Sequence, residues 1–280
     1  MSSFFQLIWL THLPQEFNNL LAHNDMDPSN FQKKNVLITG ASRGIGKATA
    51  LAFAQNGANV GINFRTNKEE ALRTLAELPG DGHHLFQQDI SKKEGAKALI
   101  DHFVEKYGQL DVLVNNAGIS IFHEIDQVDF DHWTHAWEKT FETNLFAAAN
   151  LCYWAAQSMI KSGGGHIVNV SSRGAFRGEP TKPAYGASKA ALNAMSQSLA
   201  KKLAPHNIFV GVVAPGFTET EMAAKTLTPA ERENLLRESP FKRMAQPKEV
   251  AHAILFLASE GAAYTSGTII DVNGASYLRS

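Results

Sequence analysis

The stretch "VLITGASRGIGKATALAFAQNG" (residues 36–57) decides the fold. Its first five residues form an apolar run of strand length that ends on glycine, and "GKATALAFAQNG" (46–57) carries apolar residues at helical period up to a closing glycine. The turn between them holds glycines at 40, 44 and 46. Glycine lets a backbone turn tightly and approach an anion, whose charge is met by amide N–H groups and by the positive N-terminus of the next helix. Such a turn serves either as a phosphate cradle or as a tight packing turn, and its place between a strand and a helix favours the cradle.

The same alternation continues along the chain. Further strands are predicted at 59–64, 83–90, 110–118, 166–172, 208–216 and 267–272, and further helices at 67–78, 91–107, 129–161, 184–204 and 247–259. Strand and helix in turn imply βαβ crossovers and a parallel sheet covered on both faces. No linker or repeat interrupts the pattern, so the chain reads as one doubly wound α/β domain over 31–280, with an irregular insertion at 217–245 and an N-terminal extension over 1–30. Within that extension "FFQLIWL" (4–10), with Leu13, Phe17, Leu20 and Leu21, fits a rough helical stripe or a floppy tail. It is too short to span a bilayer and lacks both a preceding basic residue and a small-residue cleavage site, so a cytoplasmic, uncleaved protein is expected.

Composition narrows the function. The 280 residues are 44% hydrophobic and 19% charged with a formal net charge of −1, and no basic block is interleaved with aromatics, so nucleic acid is not an expected partner. Cys152 is the only cysteine, which excludes an internal disulfide and any multi-cysteine metal site; it reads as a small buried apolar residue. The eleven histidines are scattered, and His83–His84 reads as a strand start, so no metal site is expected.

"YGASK" (185–189) places a phenol and an ammonium four positions apart, on one face of a helix. Alone, the pair fits either a catalytic acid with the cation that tunes it or an ordinary helix start. Ser172 lies thirteen positions before Tyr185, and Asn144 forty-one before it. With "TGASRGIG" (39–46), "NNAG" (115–118), "ETNL" (142–145), "VNVSS" (168–172), "APGFTET" (214–220) and "VNGA" (272–275), these spacings are similar to those of the classical short-chain dehydrogenases/reductases. The resemblance covers about 33–276 and rests on separated motifs. The loop spacing G-x-x-x-G-x-G is that family's, distinct from G-x-G-x-x-G.

The resemblance implies a single-domain, Rossmann-type, doubly wound parallel seven-stranded sheet with helices on both faces. It also implies an NAD(P)-dependent oxidoreductase interconverting a carbonyl and a secondary alcohol. Carbonyl reduction needs a hydride at carbon and a proton at oxygen, and a free tyrosine of pKa about 10 exchanges its proton too reluctantly near neutrality. Lys189 and an oxidised nicotinamide would both lower that pKa. By resemblance Tyr185 is the general acid/base, Lys189 also holds the nicotinamide ribose, Ser172 polarises the substrate oxygen, and Asn144 anchors a water that relays protons to Lys189. Ser171 is the adjacent rival to Ser172; the spacing favours Ser172, and neighbouring strand residues face opposite ways.

The cofactor is expected along Gly40, Ser42, Arg43, Gly44, Ile45 and Gly46 of the loop, Asp89 and Ile90 near adenine, and Asn116, Ala117 and Gly118 at the adenosine ribose. Pro215, Gly216, Thr218 and Thr220 are expected at the nicotinamide, with Tyr185 and Lys189. The end of the second strand, "INFRTNK" (62–68), has no acid before Glu69 to bond a free 2′-hydroxyl, whereas Arg43 and Arg65 could embrace a 2′-phosphate. NADP is therefore expected over NAD. Substrate choice is assigned to 217–245, with apolar Met222, Leu227, Leu235, Leu236, Phe241 and Met244, and to Arg173, Phe176, Arg177 and Glu179. The nearest look is to 3-oxoacyl-(acyl-carrier-protein) reductases and to sugar or polyol dehydrogenases. An acidic carrier would need a basic patch, for which Arg173, Arg177, Lys182, Lys201 and Lys202 are candidates. A non-catalytic NADP-sensing regulator is the reading from another class. A homo-oligomer, tetramer or dimer, formed through 129–161 and 184–204, is expected by resemblance alone.

Overall fold

Seven parallel strands run in the order β3-β2-β1-β4-β5-β6-β7 in a computed structural model of the chain, which describes residues 30–221 and 229–279. The extension expected over 1–30 lies outside these residues but for its last position, as do Met222 and Leu227. The strands are β1 (Asn35–Thr39), β2 (Asn59–Phe64), β3 (His84–Gln87), β4 (Val112–Asn115), β5 (Gly165–Val170), β6 (Ile208–Pro215) and β7 (Ile269–Val272).

Alternate residues of each strand feed opposite cores, as the pleat requires. Val36 and Ile38 of β1, with Val60 and Ile62 of β2, pack against Phe53 of α1 (Gly44–Gln55) and, on the same face, Ile254 of the last α-helix. Leu37 and Leu113 point the other way, onto Leu99 and Phe103 of α3 (Lys93–Tyr107) and Leu151 of α5 (Ala147–Ser162). Helices on both faces leave the central strands without a solvated side, which is why they read as nearly unbroken apolar runs. α2 (Lys68–Glu77) is capped by the Asn67 side chain, which accepts from the Glu70 N–H, and α4 (Phe130–Phe141) likewise by Asp129.

Two segments depart from the expected elements. The helix predicted over 129–161 is interrupted between α4 and α5 by a π-helical turn, Glu142–Phe146, which contains Asn144. Such bulges insert one residue into a helix and recur at functional sites. The insertion at 217–245 is not irregular throughout: it contains α8 (Pro229–Glu238), and a short helix α6 (Gly174–Arg177) follows β5. The remaining helices are α7 (Pro183–Leu203) and α9 (Pro247–Ala258), both opened by proline, whose missing N–H costs nothing at that position.

The chain leaves β1 for β2 and β3 on one side, then returns to pair β4 on the other. That reversal opens a crevice beyond the carboxyl ends of the strands, where open α/β sheets bind their ligands.

Candidate active site

A cleft of about 570 Å³ opens at that reversal. Every residue expected to contact cofactor or to act in catalysis lines it, except Gly46 and Asn144, which lie directly behind its wall. The loop after β1 forms its floor. Gly44 sits at φ +56°, in the left-handed region that side-chain-bearing residues avoid, and a Cβ on Gly46 would stand 2.4 Å from the Gly40 carbonyl oxygen. These two positions let the backbone of the first turn of α1 face the cleft, as a cradle for a pyrophosphate requires.

The cradle is braced from β4. The Thr39 hydroxyl accepts from the N–H groups of Asn116 and Ala117 at 3.0 and 3.1 Å, while Asn116 Nδ2 donates to the Thr39 and Gly40 carbonyls at 2.9 and 3.1 Å. Behind it a buried ladder runs from Asn115 Nδ2 to Asn169 Oδ1 (2.8 Å) and from Asn169 Nδ2 to Ser196 Oγ (2.8 Å), joining β4, β5 and α7. Thr74 Oγ1 donates to the Ser42 carbonyl at 2.8 Å and pins the loop from α2. Ile45 packs on one core beneath the loop, and Ile90 is buried in the other.

Arg43 and Arg65 both line the cleft. Burial would raise the Asp89 carboxyl, but hydrogen bonds from Ser91 and the charges of Arg65 and Lys92 outweigh it and hold it below its ordinary value. Sequence reasoning missed Glu221, whose Oε2 lies 3.8 Å from Arg43 Nη1 across the cleft. Both side chains are about half exposed, so the pair is weak and open to competition from a phosphate. The residues present fit a nicotinamide dinucleotide.

At the inner end, β5 stops at Val170, so Ser171 and Ser172 are not strand residues as expected, yet they still diverge. Ser171 turns inward and donates to the Lys189 carbonyl (3.3 Å), whereas Ser172 Oγ accepts from the Gly174 N–H (3.0 Å) and hydrogen-bonds the Tyr185 side chain. Lys189 is buried beneath Tyr185: its Nζ lies 5.9 Å from the ring centroid and donates to the Val170 carbonyl at 2.8 Å. Burial pushes the Lys189 ammonium down to about 8. The Tyr185 phenol departs from expectation. Burial pushes it up, the Ser172 hydrogen bond pulls it down, and the Glu179 carboxylate pushes it up again, leaving it above its ordinary value.

Asn144 braces the scaffold as well. Its side chain is committed to Ile119, accepting from the backbone N–H (2.8 Å) and donating to the carbonyl (3.0 Å), with a further bond to Ser188 Oγ at 3.2 Å. Both amide N–H groups are spent on these bonds and one Oδ1 lone pair is left over; the side chain fixes the loop after β4 to α7. A second positioning residue, His123, went unread among the scattered histidines. Fully buried, it pairs Nδ1 with the Ile121 carbonyl (2.9 Å) and accepts at Nε2 from the Ala184 N–H (3.2 Å), one residue before Tyr185. It thereby satisfies an orphan donor in the first turn of α7.

Thr218 is buried, its hydroxyl donating to the Gly216 carbonyl at 3.3 Å, and Thr220 packs its methyl group near Gly44. Of the apolar residues expected to cover substrate, Met244 is buried and Phe241 exposed. The basic patch does not assemble: Arg173 and Arg177 are both tied to Glu238, and Lys182 stands at the start of α7 while Lys201 and Lys202 stand near its end, ~30 Å away at 1.5 Å per residue. His83 spans Val60 N–H and the Pro79 carbonyl, and no cluster of metal-ligating side chains occurs among the described residues.

Comparison with known proteins agrees with this architecture. A family model described as enoyl-(acyl carrier protein) reductase matches residues 40–275. The chain is 40% identical over 243 residues to 3-oxoacyl-(acyl-carrier-protein) reductase FabG of Thermotoga maritima, covering 86% of this chain and 96% of that protein. It is 36% identical over 244 residues to the FabG of Chlamydia trachomatis, with the same coverage. A crystal structure from Sinorhizobium meliloti, provisionally described as a short-chain alcohol dehydrogenase, superposes with a TM-score of 0.82 at 33% identity, covering 89% of this chain and 98% of that one. With this match spanning nearly the whole described domain, the chain belongs to the short-chain dehydrogenase/reductase family and is an oxidoreductase acting on ketone and CH–OH groups.

Proposed function

We propose that the protein is an NADP-dependent ketone reductase in which Tyr185 is the general acid/base. The observation that carries this is the convergence of Tyr185, Ser172 and Lys189 at one end of a cleft whose other end is a glycine cradle flanked by Arg43 and Arg65. The nicotinamide supplies the hydride when bound. Ser172 holds the substrate oxygen beside the phenol, and Tyr185 gives that oxygen its proton. Lys189, a buried cation beneath the ring, favours the phenolate that results. Its own proton is loosely held at about 8, so it can refill the phenol. The Val170 carbonyl, bonded to Nζ, aims the ammonium. Asn144 and His123 keep α7 in register with the loop after β4.

The FabG relatives, by name, act on 3-oxoacyl groups on a carrier protein, which supports a 3-oxoacyl thioester or similar ketone as substrate. A sugar or polyol is the second reading, favoured by uncommitted polar groups at the substrate end. Ser120 Oγ is buried without a partner, and neither the Glu179 carboxylate nor the Lys182 ammonium has an ion-pair partner among the described residues. The regulator reading loses support because Tyr185 and Lys189 are both present and side by side. Exposed Phe130, Phe146 and Tyr153 on and between α4 and α5 support assembly as a homo-oligomer through that face.

The test is absorbance of reduced nicotinamide with purified protein and a panel of 3-oxoacyl thioesters, diketones and oxo-sugars, with NADPH and NADH in parallel. The proposal expects NADPH to be consumed with one ketone class. Tight NADPH binding without turnover across the panel would return weight to the regulator.

A further inference from the structure

Arg173 directly follows Ser172, yet it is almost wholly buried, with 3% of its surface exposed. Its backbone N–H donates to the Pro215 carbonyl at 2.9 Å, fastening the turn after β5 to the end of β6. Its guanidinium lies 4.7 Å from the Phe217 ring centroid, on a face of the cleft. Nη1 donates to Ser276 Oγ at 2.7 Å and Nη2 to Glu238 Oε2 at 2.8 Å. Ser276 in turn donates to the Asn273 carbonyl at 2.7 Å. A single side chain therefore joins the turn bearing Ser172, the loop after β6, the end of α8 and the C-terminal turn.

The charge arrangement is asymmetric. One oxygen of Glu238 receives both Arg173 and Arg177, each at 2.8 Å. Burial would raise the Glu238 carboxyl, but hydrogen bonds from Arg177 and Arg173 outweigh it and keep the group ionised. An ion pair whose carboxylate is part-exposed adds little net stability, so its effect lies in arrangement. A lysine would not reproduce it, because its compact ammonium lacks the rigid planar fork that reaches Ser276 and Glu238 from a stacked position.

We propose that Arg173 is a positioning residue: through Glu238 it makes the seating of α8 and the aim of Ser172 a single unit, so substrate that displaces α8 also displaces the hydroxyl that holds its oxygen. This rests on the ketone-reductase reading for its kinetic consequence, though the clamp itself has a readout apart from turnover.

The experiment compares wild type, Arg173→Met, Glu238→Gln, the double variant and, as a control, Arg237→Met, an exposed neighbour on α8. Arg173→Met is expected to raise ketone KM at least tenfold and Glu238→Gln about fivefold, with NADPH Kd within twofold of wild type. The double variant should be no worse than Arg173→Met alone, because both remove one link, and Arg237→Met should match wild type. Amide exchange across Pro229–Glu238 should quicken in Glu238→Gln. Ketone KM within twofold of wild type in both single variants overturns the proposal. So does a loss of NADPH affinity parallel to the rise in KM, which is what general damage to the sheet edge would give. Should Arg173→Met not fold, Glu238→Gln, which removes only a charge, decides by the same two criteria. Should wild type reduce no ketone, the functional reading fails instead, and exchange alone decides the clamp: unchanged exchange overturns it.

Discussion

The two ends of the cleft are built on opposite terms. At the glycine-loop end almost every polar side chain is already spent on the scaffold: Thr39 and Asn116 brace the loop, Asn115 and Asn169 tie the sheet to α7, and Thr74 holds Ser42. Backbone amides are left to face the ligand, with Arg43 and Arg65 at its rim. At the substrate end, among the described residues, the Ser120 hydroxyl has no hydrogen-bond partner and the Glu179 carboxylate no ion-pair partner, while the Lys182 ammonium stands over the rings of Phe122 and Tyr185. A committed network specifies one geometry, whereas uncommitted polar groups await a partner of their own. The first end is therefore built for one ligand geometry, and the second leaves its polar groups to whatever enters it.

The harshest way to break the contrast is to remove the group where the two ends meet. Tyr185→Phe deletes the proposed proton donor and keeps the ring, so kcat should fall by about a thousandfold or more while NADPH binding stays within twofold. Steady-state turnover beside a fluorescence titration of NADPH checks it. Turnover retained within tenfold would mean another group donates the proton.

Arg65→Ala sharpens the reading of the rim. A charge-assisted contact to phosphate contributes about 1.5–3 kcal/mol, so NADPH affinity should weaken about tenfold to a hundredfold while NADH affinity hardly moves. Equal weakening of both cofactors, in titrations run side by side, would deny the phosphate clamp.

What the sequence made legible follows the same division. β1, the glycine loop and the residues at the strand ends could be read because parallel strands are apolar on both faces and the ligand sits where they stop. The π-helical turn at Glu142–Phe146 could not, since its residues carry the same apolar period as the helices it joins. α8 was hidden because its last seven residues hold only two apolar side chains, Leu235 and Leu236; Pro229 at its first position was the available signal. His123 and Glu221 act across loops, at contacts no local spacing encodes. Arg173 and Arg177 looked like a free basic patch because Glu238, sixty-odd residues away, cannot be paired with them by pattern.

The buried cation tests whether the inner end stores a cost. With its folded pKa depressed from 10.5 to about 8, Lys189 binds its proton less tightly in the native chain than in the unfolded one. Stability therefore rises with pH between those values, and the penalty, about 3 kcal/mol, is fully present below pH 8. Lys189→Met removes it but orphans the Val170 carbonyl, at a cost of about 1–2 kcal/mol. The variant should melt roughly 2–4 °C higher than wild type at pH 7 without cofactor, and the advantage should vanish as pH rises toward 10.5. A lower melting temperature at pH 7 would show that the hydrogen bond outweighs burial.

The smallest effect separates tuning from recognition at Glu179. Its carboxylate pushes the Tyr185 phenol up, because a nearby negative charge disfavours phenolate. Glu179→Gln removes the charge and keeps the shape, so the phenol should ionise at lower pH. Alcohol oxidation uses the phenolate, and its rising limb in kcat against pH should move toward acid. Ketone reduction uses the phenol, and its falling limb should move the same way. A carboxylate that only grips a substrate hydroxyl would instead raise KM and leave both limbs in place. Profiles of kcat in both directions, with KM read at each pH, therefore distinguish the two roles: limbs displaced together assign Glu179 to the proton chemistry, and fixed limbs with a raised KM assign it to the substrate.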